Sequence, residues 1–123
     1  MRHWASPWIG TPWAPARNCW WLFRRAWACR WGDDLPVVPT DEPPGPVAVR
    51  EVARVGRARR VGEPAIDGDA VIMRTTVEVH IGMAVQLGHH LGVLDTVQGS
   101  GVRWLPWDVA TRGYEIELWR RAS

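Results

Sequence analysis

Three residues in this chain have the types and neighbourhoods for nucleophilic and acid–base chemistry: Cys19, His80 and Asp95. Cys19 follows Asn18, a residue type that starts helices by accepting a backbone N–H on its side chain. It opens a stretch without Gly or Pro, NCWWLFRRAWACRW over 18–31. A thiol at a helix head faces the positive end of the dipole, which favours its nucleophilic form. Arg17 adds positive charge, and the first 31 residues contain no acid to oppose it. The commoner fate of a lone cysteine is structural, and a nucleophile needs a base. His80 could supply one. It lies in the alternating run TVEVHIGMAVQL beside Gly82 and Ala84, small residues that admit another element closely. Asp95, in VLDTVQ, falls where the return strand of a hairpin would bring it beside His80. A carboxylate there would accept the second imidazole N–H, fix the tautomer and stabilise imidazolium. Pairing register decides which side chain faces His80, and Gln98 is the alternative orienter. The plainer readings are a strand histidine satisfied by backbone or solvent and a solvated strand-end acid.

The elements that must position these groups follow from the pattern. Pro7, Pro12, Pro15 and Gly10 make 1–16 extended or turning chain, and 1–17 a Trp/Pro-rich lead segment. Apolar residues at 19, 22, 23, 26 and 27 have helical spacing, with Arg24, Arg25 and Arg30 off that stripe and Gly32 ending it. Five prolines in the acidic stretch 33–46 predict a surface loop. Val49, Val52 and Val55 predict a short amphipathic helix within 47–60, ending near Gly56. From 66 onward IDGDAVIMR is a turn and a strand. TVEVHIGMAVQL places Val77, Val79, Ile81, Met83 and Val85 on one face. GHHLG is a turn, VLDTVQ the return strand, and GVRWLPW and YEIELWRR two more strands. Helices segregated from a run of strands predict an α+β fold, with the first helix packed on an antiparallel sheet of about five strands.

Length and composition narrow the classes. With 123 residues the expectation is one domain, 1–123. Hydrophobic residues at 46% and charged residues at 23% exclude wholesale disorder. No apolar run approaches the ~20 residues that span a bilayer, and the N-terminus lacks a signal-peptide layout, so no stable membrane insertion is expected. All 15 basic residues are Arg and ten residues are Trp, yet net charge is only +2, which gives no strong field for nucleic acid. Trp and Arg dominate interface hot spots, so the Trp/Arg segment 1–31 points to protein partners rather than nucleic acid. The Arg-rich run 54–60 is expected to be a solvated face or a contact with an acidic neighbour, and Glu115, Glu117 and Arg120 a polar sheet face. Cys19 and Cys29 on one helix would stand about 15 Å apart along its axis, beyond the roughly 7 Å a disulfide tolerates. Both thiols should be free, with Cys29 in the core. His89 and His90 have no further ligand at metal spacing, so neither a metal nor another cofactor is expected.

Four strings in order carry a resemblance. IGTPWAPARNCWWLFRRAW is similar to the nucleophile segment of the NlpC-type papain-like cysteine peptidases, in particular the version of bacteriophage tail-tip proteins. PAIDGDAVIM, VHIGMAV and VLDTVQGSGV resemble that family's later segments. The resemblance implies a papain-like fold with Cys19 as nucleophile, His80 as general base and Asp95 in the third, orienting position. Trp13 falls on the family's tyrosine, and Asn18 stands where the family has Asp. It implies hydrolysis of the peptidoglycan stem peptide, often beside a D-γ-glutamyl residue. It also implies a virion location, in the tail tip acting at the cell envelope, among other phage tail-tip proteins. The rival expectation is a catalytically weak or inactive structural tail-tip subunit that keeps the fold and binds partner tail proteins. A papain-like amidase or acyl-transfer module with another substrate is a third.

Overall fold

The computed structural model describes residues 3–14, 18–35, 50–54 and 58–122. Arg17, most of the Pro-rich loop 33–46, and residues 47–49 and 55–57 of the expected second helix lie outside the described residues.

Helix α1 spans Cys19–Trp31. Asn18 Oδ1 accepts the Trp21 N–H at 3.0 Å, which satisfies one of the donors a helix start leaves open. Gly32 closes the helix in the left-handed region at φ 77°, donating its N–H to the Ala28 carbonyl at 2.8 Å. The buried face carries Cys19, Trp20, Leu22, Phe23, Ala26 and Trp27. Trp27 donates its indole N–H to Asp33 and Trp31 donates to the Gly68 carbonyl, both at 3.2 Å, so the rings bury carbon without stranding their polar atoms. Cys29 is exposed, against the core expectation. Ten positions past Cys19 is roughly a quarter-turn off the buried stripe.

Among the described residues six antiparallel strands follow: β1 Ala58–Val61, β2 Ala70–Arg74, β3 Val79–Leu87, β4 His90–Val97, β5 Gly101–Pro106 and β6 Glu115–Arg121. Their order in the sheet is β1-β6-β2-β3-β4-β5. A short helix α2, Trp107–Ala110, separates β5 from β6. The α+β expectation agrees with this architecture, but the sheet has one strand more than expected. The extra strand is β1. The three-residue valine spacing predicts helix, and 50–54 is helical, but Ala58–Val61 instead pairs with Leu118–Arg121 of β6. Tertiary pairing overrides the local pattern here. Glu117 and Arg120 lie on opposite faces rather than one. Glu117 pairs with Arg60 and Arg74, Arg120 with Asp69.

The sheet has apolar side chains on both faces. On one, α1 packs over Ala70, Ile72, Ile81, Met83, Val85, Leu94 and Val102. On the other, Val71, Met73, Ala84, Val93 and Leu118 meet Ala110 of α2, with Trp107 and Tyr114 at the margin. Val77 is not part of the inward stripe. It precedes β3 in a turn and is 90% exposed. Next to the outer edge of β5, Gly10 donates to the Val102 carbonyl and Val102 donates to the Thr11 carbonyl, at 2.9 and 2.8 Å, so Gly10 and Thr11 cover that edge at Val102. Gly101, at φ 71°, has no room for a Cβ against the Thr11 carbonyl.

Candidate active site

His80 is the second residue of β3, not mid-strand, and α1 packs over the neighbouring stripe of Ile81, Met83 and Val85 rather than over Gly82 and Ala84. The β3–β4 ladder runs from Leu87↔His90 to Met83↔Leu94. Beyond it β3 continues to pair with β2, through Met73↔His80, and β4 with β5, through Asp95↔Arg103. Gly82 marks the place. A Cβ there would meet Val93 Cγ1 at 2.6 Å, the Leu94 carbonyl at 2.8 Å and Asp95 Cβ at 3.3 Å. Only a residue without a side chain lets β3 approach β4 this closely.

Across this point His80 Nε2 meets Asp95 Oδ2 at 2.9 Å. The two side chains are 12% and 4% exposed. Cys19, first residue of α1 and buried, lies close enough to the same imidazole to favour its charged form. Three residues separated by up to 76 positions thus form one chain of contacts, thiol to imidazole to carboxylate.

Electrostatics follow the geometry. Burial by itself disfavours the His80 imidazolium. The hydrogen bond to Asp95, the contact with Cys19 and the charges of both outweigh it, raising the ring from 6.5 to about 9. Burial likewise opposes the Asp95 carboxylate, but hydrogen bonds from His80 and Arg103 hold its carboxyl below the usual range. At neutral pH the ring is therefore imidazolium and Asp95 its counter-ion.

The other expected residues take different places. Asn18 is the α1 cap and holds Cys19 at the helix head. Trp13 is half-buried and lines a surface cavity of about 340 Å³ with Gly10, Pro12, Gly99, Ser100 and Gly101. Gln98 is exposed in the turn after β4, so the orienting contact belongs to Asp95. His89 and His90 are exposed at the β3–β4 turn. His3 has a local role, its Nδ1 accepting the Ala5 N–H at 3.1 Å. Among the described residues no group of His, Cys, Asp and Glu could hold a metal ion, and no helix is long and apolar enough to cross a membrane.

Sequence reasoning missed Arg103. It donates from Nε to Asp95 Oδ1 at 2.9 Å. The signal was its strand position opposite Asp95, which needs the β4–β5 register to be seen. It also missed Asp69, 1% exposed, which accepts two hydrogen bonds from Arg120 at 2.9 Å and one from Ile66 N–H at 2.9 Å. These contacts tie the turn before β2 to β6 and leave Asp69 a structural acid.

No family model matches the chain, and no curated protein matches it in sequence.

Proposed function

We propose that the chain is a cysteine peptidase of the NlpC, papain-like type that cleaves the peptide of bacterial peptidoglycan as part of a phage tail tip. The observation that carries the reading is the His80 ring bonded to the Asp95 carboxylate at 2.9 Å with the Cys19 thiol at the head of α1 beside it. That arrangement fits acyl transfer through sulfur. Cys19 Sγ attacks the scissile carbonyl carbon, and the C–O π electrons move onto oxygen. The backbone N–H of Cys19, at the head of α1, meets the oxyanion. Collapse expels the amine, which takes its proton from His80, and leaves a thioester. His80, now neutral, accepts a proton from water as the water oxygen attacks the thioester. The acid leaves and the thiolate–imidazolium pair is restored. Asp95 stays ionised throughout and keeps the ring turned toward sulfur. The substrate class and the tail-tip location rest on the ordered resemblance of IGTPWAPARNCWW, PAIDGDAVIM, VHIGMAV and VLDTVQGSGV to that family.

A second reading, a structural tail-tip subunit without turnover, is favoured by the 8% exposure of Cys19, which leaves a substrate carbonyl little access to the sulfur. Digestion of purified peptidoglycan separates the two. Native chain releases stem-peptide fragments detectable by mass spectrometry, and folded Cys19→Ala releases none. Equal release by the two proteins, or none by either, removes the peptidase reading.

A further inference from the structure

We propose that Arg103 is a positioning residue, whose guanidinium holds Asp95 by one oxygen so that the other stays aimed at His80. The proposal rests on the Cys19–His80–Asp95 reading and adds to it a fourth residue. Asp95 and Arg103 face each other directly in the β4–β5 ladder. Arg103 Nε contacts Oδ1 at 2.9 Å, and His80 Nε2 contacts Oδ2 at 2.9 Å. A carboxylate turns about its last bond through a broad, roughly two-fold well. One partner leaves it free to swing, whereas two charge-assisted partners on its two oxygens fix the plane. Burial of the Asp95 side chain, 4% exposed, keeps water from replacing either of them.

Among the described residues His80 and Arg103 are the cations paired with Asp95. Tyr114 lies near enough to sense the charges of Asp95 and Arg103, and its hydroxyl donates to Glu78 Oε1 at 3.2 Å, two residues before His80. Among the described residues the charged and titratable groups that act on the ring and its carboxylate are thus Cys19, Tyr114 and Arg103. Glu78 and Tyr114 are engaged with each other, and among the described residues Arg103 is the one that grips the Asp95 oxygen not used by His80.

The plainer role for Arg103 is charge balance for a buried acid, and the two roles differ in sign at His80. A cation near an imidazolium opposes it, so losing Arg103 as a mere counter-charge raises the His80 titration midpoint or leaves it unchanged. Losing it as a positioning residue frees Asp95 to turn away and lowers that midpoint.

Imidazole NMR titration of His80 in the full chain reads this directly, without substrate. Arg103→Met is expected to lower the midpoint by about one unit, and Arg103→Lys, which keeps the charge but not the planar fork, to fall between Met and native. A Met variant with an unchanged or raised midpoint overturns the proposal, and so does a Lys variant equal to native. If Arg103→Met fails to fold by near-ultraviolet circular dichroism, the Lys variant decides alone by the same criterion. Peptidoglycan release by the Cys19 pair of proteins is scored separately, so a failed positioning role and a failed peptidase reading give different results.

Discussion

Asp95→Asn preserves the size of the side chain and removes the charge that faces His80 Nε2 at 2.9 Å. Burial opposes the imidazolium in the native chain, and Asp95 and Cys19 together outweigh it, lifting the ring from 6.5 to about 9. A folded-state value above the unfolded one means that protonation stabilises the fold. The contribution is complete below 6.5 and is lost as pH rises through about 9. At roughly 1.4 kcal/mol per unit the shift is worth about 3 kcal/mol. The ring is only 12% exposed, so solvent screening removes little of it. In the Asn variant burial is no longer outweighed by an anion at Nε2, and the midpoint falls well below 9. Arg103 also loses its anion, at a cost that does not change across this pH window. Urea unfolding followed by Trp fluorescence therefore shows a native-minus-variant gap with two parts, one constant and one of up to about 3 kcal/mol that disappears as pH rises from 6.5 to about 9. A gap that is flat across that window, or a native His80 midpoint at 6.5 by NMR, refutes the reasoning.

Gly82→Ala places a methyl carbon 2.6 Å from Val93 Cγ1 and 2.8 Å from the Leu94 carbonyl, and the backbone oxygen cannot yield cheaply. The expected loss is about 1–3 kcal/mol in chemical denaturation, with a fall in the His80 midpoint because Asp95 is pushed aside. Asn18→Ala removes the cap on the Trp21 N–H and should cost about 1 kcal/mol by the same assay, with peptidoglycan release reduced because Cys19 heads the loosened turn.

Helix α1 was legible because both of its ends are written in local chemistry. Asn18 caps, Gly32 stops, and the apolar residues between them keep helical spacing. The β3–β4 hairpin was legible for the same kind of reason, alternation interrupted by GHHLG, and it placed Asp95 within reach of His80. What failed depended on distant partners. Ala58–Val61 carries no strand signal of its own and is extended because β6 offers an edge. Arg103 could not be linked to Asp95 without the β4–β5 register, which a single-residue slip would change. Cys29 is exposed rather than in the core because ten positions past Cys19 carry it roughly a quarter-turn off the buried stripe. His80 was expected under the flank of α1, but the helix covers the adjacent stripe, and only its first residue meets the ring.

Covalent trapping tests the central claim most directly, because the chain carries its own control. Cys29 is exposed and Cys19 is buried, so accessibility alone sends an electrophile to Cys29. A peptide electrophile resembling the stem peptide, followed by peptide mapping in the mass spectrometer, should instead mark Cys19, with marking lost in His80→Ala while Cys29 labelling is unchanged. Adduct on Cys29 alone, or on Cys19 at the same rate without His80, would contradict a sulfur and imidazole working as one catalytic unit.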